Sequence, residues 1–157
     1  MDKKQPGSKN CFVCGRENPA GLKLEFYTTA PGQVRAEISV PMKYEGYPGI
    51  VHGGIIAAIL DETGGRAYMD GSHPFMVTGQ LKVRYRKPVP IKTTLIALGK
   101  AVQRKGRVSK AHSEIQTLDG EVLAEADLVL VDIPEEKFTN VDPEALGWHV
   151  YPNKEET

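Results

Sequence analysis

The run at residues 51–62 constrains the fold of this chain more than any other feature of its sequence. Its large aliphatic residues recur at helical spacing: Ile55, Ile56, Ile59 and Leu60. That period predicts an amphipathic helix with one buried face. The preceding Gly46-Tyr47-Pro48-Gly49 has the composition of a turn, because glycine and proline interrupt regular structure. We therefore predict the only long helix of the chain here, ending near Asp70-Gly71.

The other side of this predicted helix carries small residues around one carboxylate. At about 100° per residue, Asp61 lies within a stripe formed by Gly54, Ala57, Ala58, Gly64 and Gly65. A glycine inside a helix lowers helix stability by roughly 1 kcal/mol relative to alanine, so the glycines in this stripe require an explanation. One reason is the close approach of another backbone or a substrate beside Asp61. The other is that small residues only let the helix lie tightly on a sheet while Asp61 faces solvent. Spacing alone leaves both open.

Most of the remaining chain alternates between polar and apolar residues, as strands do. The predicted strands cover residues 22–28, 33–40, 77–86, 93–103, 108–118 and 121–131. Ala30-Pro31-Gly32 joins the first two as a hairpin, and Asp119-Gly120 joins the last two. One helix kept apart from antiparallel strands predicts the α+β class. We expect an antiparallel sheet of five to six strands wrapped around one long central helix.

The chain is long enough for one domain with a substantial core, at 157 residues. We place this domain at residues 11–133, with a flexible N-terminal tail at 1–10 and a polar C-terminal extension at 134–157. The extension contains a possible short helix at 142–146, with Asp142 as its cap and Pro143 in its first turn. Trp148 and Tyr151 are expected to pin the extension to the body of the domain.

The overall charge excludes a strongly basic or acidic surface, because the formal net charge is zero. Nucleic acid and membranes are therefore not expected as partners. The first ten residues lack the apolar core of a signal peptide, and the apolar run at 49–60 is too short to span a membrane. We expect a soluble, cytoplasmic protein.

The motif Cys11-Phe12-Val13-Cys14-Gly15 has three interpretations. A CxxC is half a zinc site, but no second CxxC or paired histidine follows at usable spacing, and His73, His112 and His149 suggest no metal site either. A redox motif is the second, although Asn18-Pro19-Ala20-Gly21 predicts turns instead of a helix N-terminus. The favoured interpretation is that these small thiols anchor the N-terminal loop. No metal and no cofactor are predicted.

Three motifs together resemble those of the hotdog-fold acyl-CoA thioesterases. They are His52-Gly53-Gly54, Asp61 nine residues after His52, and Arg84-Tyr85-Arg86-Lys87-Pro88 on a later strand. The branch that looks most similar is the phenylacetate-degradation (PaaI-like) type, which also shows a segment similar to residues 11–22. The resemblance covers residues 11–133. It implies hydrolysis of the thioester bond of small or medium acyl-CoA, aromatic acyl groups included, with no cofactor beyond the coenzyme A of the substrate.

The resemblance also implies roles for individual residues. Asp61 is the general base or nucleophile, the Gly53 amide polarises the thioester carbonyl, and Thr78 assists the acid or a water. His52 and Gly54 belong to the substrate-binding motif. Many relatives carry Asn or Gln six residues before the histidine, where this chain has Gly46. The contact that this amide side chain would make to the water or the thioester carbonyl is therefore missing here or comes from another residue.

The spacing of Gly53 and Asp61 predicts a dimer. Asp61 lies eight residues after Gly53, or about 12 Å along a helix, so one reaction centre cannot touch both within one chain. An isologous dimer with antiparallel helices brings the two together. We expect a homodimer with two shared sites, and further association into a dimer of dimers.

Other polar residues have competing interpretations. Glu62 is a rival carboxylate, although it points about 100° away from Asp61. His52 is a candidate base, but a residue in its place more often fixes the loop by hydrogen bonding. The phosphates of coenzyme A could meet several cations, or these could form a solvated strand face; they are Arg84, Arg86, Lys87, Lys105 and Arg107.

Two other functions remain open on the same fold. A hydratase or dehydratase needs a histidine paired with an acid, for which His52 is the candidate. A non-enzymatic domain that binds or senses acyl-CoA keeps the groove but does not need Asp61.

Overall fold

The computed structural model describes residues 1–70, 75–137, 140, 142, 144–145 and 147–153. Within them, one long helix lies on an antiparallel sheet of seven strands in the order β1-β2-β3-β5-β6-β7-β4. The strands are β1 (Lys3–Lys4), β2 (Tyr27–Ala30), β3 (Gln33–Ile38), β4 (Met76–Tyr85), β5 (Leu95–Lys105), β6 (Val108–Gln116) and β7 (Val122–Asp132), and the helix is α1 (Gly53–Arg66). Short 3₁₀ turns cover Met42–Tyr44 and Glu135–Lys137. The predicted α+β hotdog class is confirmed.

The sheet has one strand more than the largest number predicted, because the N-terminal segment joins it. Lys3 and Lys4 pair with β2, and the Gln5 amide N–H donates to the Phe26 carbonyl at 2.9 Å. The buried Gln5 side chain donates to the Arg66 carbonyl at 3.0 Å. Residues 3–5 are thus packed on the domain, which differs from the predicted flexible tail at 1–10. A two-residue strand is too short for alternation to predict it.

The helix packs its aliphatic side on the sheet as predicted. Ile56, Ile59 and Leu60 are buried. Gly64, however, does not belong to the outward stripe of small residues, since a Cβ there would lie 2.5 Å from Leu128 Cδ1. Gly65 does face outward, with nothing within 4 Å of an added Cβ. Gly64 therefore serves close packing on the sheet.

The helix ends earlier than the sequence predicts. Its last residue is Arg66, whereas the apolar spacing continues through Tyr68. Tyr68 N–H donates to the Gly65 carbonyl at 3.2 Å and Met69 N–H donates to the Arg66 carbonyl at 3.1 Å. These bonds span three residues and tighten the chain into 3₁₀ turns. The predicted end at Asp70-Gly71 falls partly outside the described residues.

β4 is an edge strand beside the helix, and it positions the candidate site. It pairs with β7 alone, so its other side presents unpaired backbone N–H and C=O groups within the described part of the chain. Its residues alternate in burial, because Leu81 and Val83 pack against the core while Lys82 and Arg84 are exposed.

The C-terminal extension contacts the domain through aromatic residues. Trp148 meets Phe75 edge-to-face with ring centroids 5.5 Å apart, and the Arg16 guanidinium lies 5.5 Å from the Tyr151 ring centroid. The predicted anchoring by these two aromatics is confirmed. Part of the predicted helix at 142–146 lies outside the described residues. His73 lies outside them as well. None of the helices in the described ranges is long and apolar enough to cross a membrane.

Candidate active site

His52 caps the beginning of α1. Its Nδ1 accepts the Gly54 N–H at 2.9 Å, and its backbone N–H donates to the Tyr44 carbonyl at 2.9 Å. The proton of a neutral imidazole is therefore on Nε2. The prediction that His52 fixes the loop before the helix is confirmed by these contacts.

The His52 side chain does not accept a hydrogen bond from the Gly53 N–H. As the first residue of α1 it has no intrahelical acceptor, and the described residues provide no other acceptor for it. The N–H also lies at the positive end of the helix macrodipole. Gly53 lines a cavity of about 690 Å³ together with Tyr85, Arg86 and Lys87. This end of the helix can thus donate to an electron-rich oxygen.

Tyr85 joins this end of the helix to β4. Its hydroxyl donates to the Gly53 carbonyl at 2.8 Å. From the sequence, Tyr85 is named only as part of the motif at residues 84–88 and is given no role, because strand alternation does not indicate which helix residue it meets.

Asp61 and Thr78 form a second polar centre in the second half of the helix. The Thr78 hydroxyl donates to Asp61 Oδ1 at 2.6 Å, so two of the predicted site residues come together. Burial raises the pKa of the half-buried Asp61 carboxyl above its ordinary value, the bond from Thr78 opposes that rise, and nearby Glu62 adds to it. The carboxylate borders an open cavity of about 870 Å³. A partly desolvated carboxylate of this kind is suited to accept a proton or attack an electrophile.

Replacing Thr78 by valine is expected to raise the pKa of Asp61 further. The hydroxyl stabilises the charged carboxylate, and valine keeps the shape without the donor. Titration of the Asp61 carboxyl carbon by NMR measures this, with Thr78→Ser as the matched control that keeps the donor. Equal pKa values in Thr78→Val and the unaltered protein would contradict the importance of this hydrogen bond.

The rival carboxylate, Glu62, is held by other groups. Its Oε1 accepts from Arg66 Nε at 2.8 Å, and Arg66 is only 1% exposed. The Glu62 carboxylate is engaged in this ion pair, whereas the Asp61 carboxylate accepts from the neutral Thr78 hydroxyl. The geometry therefore favours Asp61, as the helical spacing predicted.

A single chain keeps the Gly53 amide and the Asp61 carboxylate apart. Eight residues of α1 separate them, which is about 12 Å along a helix. The two cavities share no lining residue. Each chain therefore carries two separate polar centres along one helix.

Comparison with known proteins identifies the family. A sequence model of the thioesterase superfamily matches residues 48–124, the segment that holds both polar centres. A solved structure of a thioesterase superfamily protein superposes with a TM-score of 0.73 at 32% identity, covering 78% of this chain and 63% of that one. The chain belongs to the thioesterase superfamily. A second thioesterase superfamily structure, from Shewanella loihica, gives a TM-score of 0.60 at 25% identity, covering 71% of this chain and 91% of that one.

Curated relatives of this thioesterase superfamily chain include acyl-coenzyme A thioesterase THEM4. The Mus musculus protein is 32% identical over 121 residues, covering 74% of this chain and 52% of the relative. The Xenopus laevis protein is 33% identical over 100 residues, covering 62% of this chain and 44% of the relative. The chain thus spans about half the length of the curated relatives it matches.

The cations proposed for phosphate binding differ in position within this thioesterase superfamily fold. Arg86 and Lys87 border the Gly53 cavity, where Arg86 also pairs with Glu125 at 3.0 Å and Lys87 pairs with Glu121. Three others line neither cavity: Arg84, Lys105 and Arg107. Arg107 instead donates to the Asp132 carbonyl at 3.1 Å. Contact with phosphate stays a prediction for all five.

Gly46, at the place where many relatives carry an amide side chain, lies close to the cap of α1. An added Cβ would lie 3.2 Å from His52 Cα, so a larger residue needs the cap to shift by a few tenths of an ångström. Gly46 also borders the Gly53 cavity, and its absence of a side chain widens the space beside the Gly53 amide.

Proposed function

We propose that the protein hydrolyses the thioester bond of small or medium acyl-CoA, aromatic acyl groups included. The observation that carries the proposal is the pair of polar centres on α1: a carboxylate bonded by Thr78 and the unused Gly53 amide. The similarity to acyl-coenzyme A thioesterase THEM4 supports it. Membership of the PaaI-like branch belongs to the same proposal.

The chemistry needs one donor and one carboxylate at the same carbonyl. As the acyl carbon is attacked, charge develops on the carbonyl oxygen, and the Gly53 N–H stabilises it at the positive end of the helix. Asp61 either takes a proton from the attacking water, or attacks the carbon itself to form an acyl–aspartyl anhydride that water hydrolyses after coenzyme A has left. The carbon–sulfur bond then breaks, and the departing coenzyme A thiolate takes up a proton. A single turnover in ¹⁸O-labelled water distinguishes the two routes when the anhydride is hydrolysed at the aspartyl carbon. An unlabelled Asp61 oxygen then enters the acid product and the label enters Asp61, whereas the general-base route puts the label in the acid.

The two centres meet when two chains associate through β4. Thr78 and Tyr85 lie toward opposite ends of β4, and each bonds one of the two helix positions. An antiparallel twofold pairing of this edge strand with its copy places the Asp61 end of one chain beside the Gly53 end of the partner. The unpaired groups of the edge are then satisfied across the twofold axis. We propose a homodimer with two such sites, and a dimer of these dimers as the larger assembly.

Replacing Gly53 by proline is expected to lower turnover on the order of 10²–10³-fold. Proline removes the donated hydrogen and is tolerated at the first helical position. It also adds a ring, whose Cβ would lie 3.4 Å from the Tyr85 hydroxyl. The preceding His52 already has φ −58° and ψ 136°, a conformation compatible with a following proline. Release of free thiol from a panel of acyl-CoA esters measures the effect, and Gly53→Ala is the control that keeps the N–H. Undiminished turnover in Gly53→Pro would remove the amide from the mechanism.

Co-expression of two inactive chains tests whether the site is shared. A dimer of one Gly53→Pro chain and one Asp61→Asn chain contains one intact site and one doubly altered site. With random pairing, half of the dimers are mixed, so activity is expected to return to about a quarter of that of the unaltered protein. No recovery would show that each site lies within a single chain.

The competing functions give different results in the same assay. A domain that only binds acyl-CoA releases no thiol. A hydratase needs a histidine paired with an acid, whereas His52 uses Nδ1 to accept from Gly54 and has no carboxylate partner among the described residues. The geometry therefore favours hydrolysis.

A further inference from the structure

A second cluster of reactive side chains lies on the side of α1 that carries Glu62. The ligand atoms of Cys11, Cys14 and Glu62 all lie within 4.8 Å of one another. Both cysteines are free thiols, Cys14 is 2% exposed, and the other two are half-buried. The proposed hydrolysis uses none of these groups.

The loop holds Cys11 with its sulfur as a hydrogen-bond acceptor. The backbone N–H groups of Val13 and Cys14 donate to Cys11 Sγ at 3.3 and 3.4 Å. The loop requires Gly15, because a Cβ there would lie 2.2 Å from the Cys11 carbonyl oxygen. Two N–H groups directed at one sulfur stabilise the thiolate, which is the form of cysteine that binds metals.

The third group is oriented from the other side by a buried guanidinium. Arg66 Nε donates to Glu62 Oε1, while Glu62 Oε2 lies 4.0 Å from Cys11 Sγ. Arg66 is itself fixed by a 2.7 Å bond to the Pro6 carbonyl. One carboxylate oxygen is thus held by Arg66 and the other faces the two thiols, which is how proteins orient a carboxylate that binds a metal.

We propose that Cys11, Cys14 and Glu62 bind one zinc ion, with a water molecule as the fourth ligand. Zinc binds thiolate sulfur at about 2.3 Å and carboxylate oxygen at about 2.1 Å, so a tetrahedral site separates the two atoms by about 3.6 Å. The distance of 4.0 Å from Cys11 Sγ to Glu62 Oε2 needs a closing of only a few tenths of an ångström.

The charges in the cluster also balance. Zinc contributes two positive charges and Arg66 one, against two thiolates and one carboxylate. No net charge is then added to a largely buried region, where an uncompensated charge is costly. The ion connects the N-terminal CxxC loop to the helix residue that follows Asp61, so it stabilises the position of the helix bearing the proposed catalytic carboxylate.

Metal content and affinity test this proposal independently of activity. Protein without a polyhistidine tag, grown with added zinc and freed of loose metal by gel filtration, is analysed by mass spectrometry of the elements. We expect about one zinc per chain. Competition with a chromophoric chelator is expected to show affinity lowered more than about 100-fold in Cys14→Ser and Glu62→Gln, since each loses a ligand. Glu17→Gln is the matched control, because Glu17 is an exposed acid near the same loop that pairs with Lys9.

Cobalt substitution provides a measurement on the unaltered chain. We expect sulfur-to-cobalt charge-transfer bands and the intense visible bands of a tetrahedral site, with Cys11→Ser losing about half of the charge-transfer intensity. Circular dichroism checks that each variant is folded. Zinc far below one per chain, equal affinity in folded Glu62→Gln and the control, or ready formation of a Cys11–Cys14 disulfide in the presence of zinc would each overturn the site.

Discussion

Asp61→Asn is expected to lower kcat for acyl-CoA hydrolysis on the order of 10²–10⁴-fold, the usual contribution of a general base. Asparagine keeps the oxygen that accepts from Thr78, so the geometry at β4 is retained. It cannot, however, take up a proton or act as a nucleophile. Thiol release measures kcat, and Asp127→Asn is the control, because Asp127 is an exposed carboxylate that pairs with His112 away from either cavity.

The same substitution is expected to leave thermal stability unchanged or raised at neutral pH. Burial raises the pKa of Asp61 in the folded chain, so the folded state binds this proton more tightly than the unfolded state does. The resulting stability is fully present below the ordinary pKa of aspartate and is lost as the pH rises through the raised value. Asparagine does not ionise and avoids that loss. Melting temperatures at pH 4 and pH 7 test this, and a large drop in Asp61→Asn at pH 7 would show a structural role instead.

Gly99→Ala is expected to destabilise the fold by about 3 kcal/mol or more, because it forces overpacking between α1 and β5. An added Cβ would lie 2.3 Å from the Thr63 carbonyl oxygen and 2.7 Å from Val34 Cγ1. The oxygen belongs to the helix backbone, so the clash is relieved only by moving α1. A loss of this size lowers the melting temperature by about 6–12 °C for a domain of this length.

Lys100→Ala is the matched control for Gly99→Ala. Lys100 follows Gly99 in the same strand and is exposed, so its removal is expected to change stability by no more than about 0.5 kcal/mol. Chemical denaturation of both variants compares them directly. If Gly99→Ala were as stable as Lys100→Ala, the close approach of helix and sheet at this point would not be a constraint.

Local patterns in the sequence were sufficient to predict most elements. The aliphatic spacing predicted α1, and alternation predicted the four long strands to within a few residues at their ends. The hairpin turns were confirmed at Pro31-Gly32 and Gly120, where Gly32 has φ +70° and Gly120 has φ +92°. These features depend on residues a few positions apart, whose periodicity and turn preferences can be read from the sequence.

The sequence alone also placed Asp61 and Gly53 on one helix, too far apart for one reaction centre, because helix geometry fixes that distance. Only the tertiary structure decided what surrounds them. In the folded chain Thr78 bonds Asp61, and Gly64 packs against the sheet. β4 lies at the edge of the sheet, and Glu62 lies beside Cys11 and Cys14. Periodicity reports which side of an element is buried but not which distant element covers it. Contacts between residues far apart in the chain depend on how all the strands and the helix pack together.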